Sequence, residues 1–200
     1  MARHSTTPAI SVESLVGTAL QILQDYGLAD LSMRRVAGQL GVQPSALYWH
    51  VPDKQSLLAL VCDRILDDVA TPELTGDWRD DVRTRALLLH DALLATRDAA
   101  ELTASVVALG TGGHRLRELI HDAAAPSSQP SQPEEPEQPA DTAVLIDALV
   151  ALLLGDAMIA QQRSQAQLLG LLPAEPEPEP QLSPSPITAD FSARLALLLR

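Results

Sequence analysis

The run Leu47-Tyr48-Trp49-His50-Val51 gathers two of the chain's five aromatic residues and a histidine into one short stretch. A helix turns about 100° per residue, so three such side chains in succession cannot all point inward, and at least one is displayed. Displayed tyrosine and histidine donors suit phosphate oxygens, as does Lys54 at the start of the next helix. Gln43 and Ser45, just upstream, suit the edges of bases. For Tyr48 taken alone, a place in the core is the simpler reading. Competing chemistry is thin. The chain has no Gly-rich phosphate loop, no Gly-x-Ser-x-Gly elbow and no His-Glu-x-x-His. His90, His114 and His121 are scattered without metal-ligand spacing and read as core or surface residues. No enzyme, cofactor or metal site is expected.

The elements that must hold this stretch are clearly punctuated. Ser11 can cap a first helix, with Ile10 and Leu15 placed as a hydrophobic staple. Val12, Leu15, Val16, Ala19, Leu23 and Tyr26 fall on one face of it, and Gly27 suits its end. Ser32 can cap a short second helix with Met33, Val36, Ala37 and Leu40 inward, closed by Gly41. Gln43-Pro44 opens a third, expected to run through Leu47 to about Trp49, since proline is tolerated in a first turn. A helix so short cannot stand alone in water. Val42, Leu47 and Val51 are its expected anchors, leaving Gln43, Pro44, Ser45, Tyr48, Trp49 and His50 to face outward. Asp53 can cap a fourth, longer helix carrying Leu57, Leu58, Leu60, Val61, Ile65 and Leu66. Two short helices joined at Leu40-Gly41-Val42 and followed by a long one have the form of a helix-turn-helix.

Composition agrees with an all-α protein: 46% of residues are hydrophobic, mostly alanine and leucine, and few stretches alternate as strands do. The formal charge of −12 speaks against a nucleic-acid partner until its distribution is seen. Residues 1–56 are neutral, with Arg3, Arg34, Arg35 and Lys54 against Glu13, Asp25, Asp30 and Asp53; the remainder carries the whole negative charge. A neutral head on an acidic body would offer only the head to DNA. The single cysteine, Cys62, excludes an internal disulfide and suits a reducing compartment. No leader segment is visible, and the apolar run Ala143–Leu154 falls short of the ~20 residues a bilayer crossing needs. A soluble, cytoplasmic protein without membrane contact is expected. Eleven of the fifteen prolines lie in 126–139 and 173–186, expected as extended loops. These separate a long apolar helix from Asp141 and a short one from Ala189. Helices at about 98–108 and 113–124, and one opening at Asp77-Trp78, complete the body. This last one carries Trp78, Val82, Arg85, Leu89, Leu93 and Thr96 on one stripe.

Residues 11–66 resemble the DNA-binding domain of the TetR family of bacterial repressors. The resemblance rests on Ala19-Leu20, Gly27, Leu31-Ser32-Met33-Arg34, Val36-Ala37, Leu40-Gly41-Val42, Leu47-Tyr48, His50 and Lys54-Gln55-Ser56-Leu57-Leu58. Leu47-Tyr48-Trp49-His50-Val51 is similar to the tetracycline-repressor type in particular. The resemblance implies a DNA-binding domain over 1–56, a connecting helix over about 54–70, and a ligand-binding and dimerisation domain over 71–200. It further implies that Arg34 reaches a guanine edge, that Gln43, Pro44 and Ser45 open the reading helix, and that Tyr48, Trp49, His50 and Lys54 touch backbone or flanking base methyls. Arg35 is left as surface. Because Pro44-Ser45-Ala46 departs from the Gln-Pro-Thr of that type, a different operator sequence is implied.

The body resembles the same type more loosely, through Asp77-Trp78, Ala92-Leu93-Leu94, Arg97-Asp98, and Gly155 with Gln161. The resemblance implies a homodimer on a palindromic double-stranded operator, joined through the apolar runs Val144–Leu154 and Leu195–Leu199. It also implies a small-molecule ligand, with the drug-holding positions falling on Ala70, Arg85, Leu89 and Thr103. None of the four keeps the type's ligating residue, which argues against tetracycline itself. Arg85 would suit an anion if it faces inward, and a solvated surface if it does not. A regulator of the same fold without a small-molecule inducer stands as the alternative.

Overall fold

The computed structural model describes residues 10–125, 142–173 and 186–199, and among them the regular structure is entirely helical. The all-α expectation holds. The Pro-rich stretches lie outside the described residues except at their edges, where Pro173 ends one segment and Pro186 opens the last helix.

The first helix, α1 (Val12–Tyr26), begins in a reciprocal cap: Ser14 N–H donates to Ser11 Oγ at 3.1 Å, and Ser11 N–H donates to Ser14 Oγ at 3.0 Å. Two donors that a helix start leaves unpaired are thereby satisfied. Its buried face is Leu15, Val16, Ala19, Ile22 and Leu23. Val12 and Tyr26, expected on that face, are 40% and 46% exposed, because they are the first and last residues of the helix, where the core no longer covers the stripe. A 3₁₀ turn over Leu28–Asp30 leads to α2 (Met33–Gln39), capped by Ser32, and then α3 (Pro44–Leu47). α4 (Lys54–Asp67), capped by Asp53, packs on α1 on one side and on α6 on the other.

The body consists of α5 (Trp78–Ala95), α6 (Ala99–Ala108), α7 (His114–Ala124), α8 (Thr142–Leu168) and α9 (Pro186–Leu198). α5 is its hub, touching α6, α7, α8 and α9. Its buried face is wider than the expected stripe: Asp81, Ala86 and His90 are buried beside Val82, Arg85, Leu89 and Leu93, whereas Trp78 is only half-buried and Thr96 caps the end. Asp81 folds the α4–α5 connection, accepting from the amides of Thr75 and Gly76 at 2.8 and 3.1 Å and from the Thr75 hydroxyl at 2.9 Å. α8 is the long helix expected after the first Pro-rich stretch; it runs well past the apolar run Ala143–Leu154, and by length and composition it could cross a membrane. It carries Asp156 inside the fold, however, where the carboxylate pairs with Arg194 and lies 3.1 Å from His90 Nε2. His90, fully buried, stacks on Phe191 with ring centroids 4.2 Å apart. A polar link thus joins α5, α8 and α9, buried at His90 and Asp156 and reaching solvent at Arg194. Burial holds the His90 imidazole below its ordinary value, Asp91 raises it and Arg194 lowers it further.

Candidate nucleic-acid interface

The α2–α3 turn follows from one residue. Gly41 takes φ 70°, a left-handed conformation that glycine adopts without strain. There the Val42 N–H reaches back to the Ala37 carbonyl at 3.0 Å, and the Gly41 N–H to that of Gly38 at 3.2 Å. This paired closure ends α2 and points α3 away from it.

α3 is shorter than expected. It ends at Leu47, and Tyr48–His50 continue as a turn in which the amides of His50 and Val51 both donate to the Leu47 carbonyl, at 2.9 and 3.0 Å. The physical reason is Val51-Pro52: the residue before proline is pushed out of helical geometry, so the chain must already be leaving the helix. Leu47 and Val51 are buried and Val42 is half-buried, so the three expected anchors hold the segment from below. Burying a leucine contributes about 1.5–3 kcal/mol, more than so short a helix contributes by itself.

What remains is displayed. Trp49 is 90% exposed and Tyr48 52%, and His50, Ser45 and Gln43 are exposed as well; Pro44 is half-buried. A tryptophan so open to water has no folding role, since its large apolar surface gains nothing there. Arg34, at the second position of α2, is exposed, and Lys54 is half-buried at the first position of α4. Asp53 caps α4 by accepting from Ser56 N–H at 2.7 Å, a bond that keeps its carboxyl below the ordinary range.

Arg35, left as surface by the sequence reading, has a defined place. Its guanidinium lies 3.9 Å over the Tyr26 ring and 2.5 Å from Asp30 Oδ1. Arg35 therefore pins the 3₁₀ turn to α2, while Arg34 is presented beside it. The i,i+5 spacing of Asp30 and Arg35 across a cap was the available signal, invisible without the turn between them.

In the body the four suggested ligand positions have unlike settings. Ala70 is exposed, Leu89 and Thr103 are fully buried, and Arg85 is 5% exposed. Arg85 Nη1 donates to the Ala70 carbonyl at 3.3 Å, and its Nε has no partner. Burial lowers the pKa of this guanidinium. Thr103 Oγ1 lies 3.6 Å from the Cys62 thiol, whose pKa burial pushes up to about 11. Arg85 and Ala70 are thus brought together; Thr103 belongs to the α4–α6 seam. Among the described residues no cluster of His, Cys, Asp or Glu is placed to hold a metal ion.

A small helical head with a two-helix turn and an outward aromatic edge, carried by a connecting helix on a larger helical body, defines the helix-turn-helix regulator class. The comparisons with known proteins name the family. Residues 15–61 match the model of the bacterial regulatory proteins of the tetR family. The class C tetracycline repressor protein of Escherichia coli is 40% identical over 95 residues, which are 46% of this chain and 43% of that protein; the chain thus spans less than half the length of this relative. Over the whole fold, the crystal structure of Mycobacterium smegmatis BioQ superposes with a TM-score of 0.77 at 31% identity, covering 96% of each chain. A BioQ structure with its natural double-stranded DNA operator superposes with a TM-score of 0.66 at 33% identity, covering 82% of this chain and 94% of that one. Streptomyces coelicolor ActR, a TetR family protein, in complex with (S)-DNPA gives 0.63 at 26% identity over 95% of each. This chain belongs to the TetR family.

Proposed function

We propose that this chain is a cytoplasmic, homodimeric transcriptional repressor that reads a palindromic operator through α3. The observation that carries this is the polar-aromatic edge Tyr48-Trp49-His50, turned to solvent while Leu47 and Val51 anchor it. Arg34 reads a guanine edge, Gln43, Pro44 and Ser45 face bases, and Tyr48, Trp49, His50 and Lys54 hold backbone and base methyls. The BioQ solved with its operator supports the reading. The domain over residues 1–56 supplies these contacts, and 71–200 supplies dimerisation. Ala148, Ala151, Gly155 and Ile159 lie along one side of α8 away from its buried residues, and a Cβ on Gly155 would meet open space. With Leu197 of α9, 60% exposed, this side suits a second copy. A dimer of this kind sets its two reading helices about 34–36 Å apart, or a multiple of that spacing.

Release from DNA by a small molecule held near Ala70, Arg85, Leu89 and Thr103 completes the proposal. Arg85, inward and with an unsatisfied Nε, supports an anionic group there. A regulator without an inducer is the second reading, favoured by the complete burial of Leu89 and Thr103. A thermal-shift screen of small anions separates them, because a ligand that prefers the folded body raises Tm. The DNA-binding reading itself is tested by gel retardation with DNA from upstream of the chain's own coding sequence at low salt. Retardation that Arg34→Ala weakens on that DNA and not on random DNA is expected; no retardation refutes the proposal.

A further inference from the structure

A cavity of about 610 Å³ opens between the end of α5, the α5–α6 turn and the C-terminal half of α8. Leu94, Leu168 and Leu169 form its apolar wall; Arg97, Asp98, Gln161, Ser164 and Gln165 form the polar one. Most of that polar wall is already engaged. Gln161 donates to the Leu93 and Thr96 carbonyls at 2.8 and 2.7 Å and accepts from Ala100 N–H at 3.2 Å. Asp98 accepts from the Leu28 amide at 2.9 Å through one oxygen and from Gln165 Nε2 at 2.6 Å through the other. The Ser164 hydroxyl donates to the Ala160 carbonyl.

Arg97 is the exception. A guanidinium has five N–H donors, and the described hydrogen bonds use it once, to the Asp25 carbonyl at 3.2 Å. It takes part in none of the described ion pairs. Arg97 is exposed to solvent and is the only cation among the lining residues, and a planar anion fits a guanidinium best. Opposite, Leu168 and Leu169 are 87% and 75% exposed, an unusual amount of leucine surface beside a cavity, whose burial under an alkyl chain is favourable in proportion to its area.

We propose that this cavity is a binding site for an amphipathic anion, a carboxylate at Arg97 with a medium-length alkyl body on Leu94, Leu168 and Leu169, separate from the site around Arg85. Its position gives it a route to the head. Arg97 holds the carbonyl at the end of α1, Asp98 holds the first amide of the 3₁₀ turn, and the two press so closely on Gly27 that a Cβ there would lie 2.6 Å from Asp98 Oδ2. An occupant that draws the Arg97 guanidinium into the cavity competes with α1 for it and loosens this seam.

Calorimetric titration of the full-length protein with decanoate, below its micelle concentration, tests the site. One saturable site per chain is expected, with no saturable heat from decyltrimethylammonium. Leu169→Asp, at an exposed position and checked for folding by circular dichroism, should weaken binding at least tenfold, as should Arg97→Gln. The absence of saturable heat, as when another copy or segment covers the cavity, overturns the proposal. So does equal binding of the cation, or wild-type affinity in both variants. Saturating decanoate should also speed amide hydrogen exchange across residues 25–31; unchanged exchange overturns the link to the head.

Discussion

Alanine at Gly27 and at Gly41 should cost very different amounts, although both glycines have positive φ and both end a helix of the head. Gly27 has φ 86° and ψ 175°, a region essentially reserved for glycine that costs another residue of order 1–3 kcal/mol. Its new Cβ would also stand 2.6 Å from Asp98 Oδ2 and 3.2 Å from Arg97 Nε. The carboxylate would have to withdraw from the Leu28 amide, and losing a half-buried hydrogen bond to a charged group costs about 1–2 kcal/mol more. Gly27→Ala should therefore lose about 2–5 kcal/mol, a large share of the ~5–15 kcal/mol that keeps a domain folded. Gly41 has φ 70° and nothing within 4 Å of a built Cβ, so alanine there meets only the left-handed backbone penalty of about 1–2 kcal/mol. Urea unfolding of the two variants, followed by circular dichroism, measures both. Equal losses, or a greater loss at Gly41, would refute the assignment of Gly27 as the contact point of head and body.

Other outcomes follow from the same structure. Because burial depresses the His90 pKa, the unfolded chain takes up a proton near pH 6.5, its ordinary value, before the folded chain does. Stability is whole above that pH and falls as pH drops toward the folded value; His90→Phe, which can still stack on Phe191, should flatten this fall, and an unchanged pH profile would contradict it. Cys62, with its thiol pushed up to about 11 and fully buried, should react with an aromatic disulfide reagent only on unfolding; rapid labelling of the native protein would contradict its placement. Ile159→Asp, at a 63% exposed position, should leave helicity intact and convert a dimer to monomers in analytical ultracentrifugation; an unaltered dimer would move the interface elsewhere. Lys54→Ala should weaken binding to all DNA sequences alike and lower the salt slope by about one; a sequence-selective loss would give Lys54 a different role.

The head was legible in the sequence because its signals are local. Ser11, Ser32 and Asp53 do cap helices, Gly27 and Gly41 do end them, and Leu47 and Val51 are buried beneath the displayed edge. α3 ends at Leu47, two residues before the expected Trp49, because the effect of Pro52 on Val51 competes with helix continuation, and local propensity does not decide between them. The body was less legible, since what matters there joins residues far apart in the chain. His90 with Asp156, Arg97 with Asp25, and Gln161 with Leu93 and Thr96 are pairings over more than sixty residues that no spacing rule foresees. The burial of Arg85 was likewise undecided, because a 3.6-residue stripe places a side chain on a face without saying whether its charge finds a partner.

The central claim is that the outward edge formed by α3 and the Tyr48–His50 turn after it lies in a DNA groove. A Trp78→Phe variant leaves Trp49 as the sole tryptophan, so iodide quenching of its emission reports that edge alone. Free protein should be quenched almost as readily as an unfolded chain, given the 90% exposure of Trp49. Operator DNA retained by the protein should protect it several-fold. If Trp49 stays equally quenchable in a saturated DNA complex, the reading helix is not where the protein meets DNA.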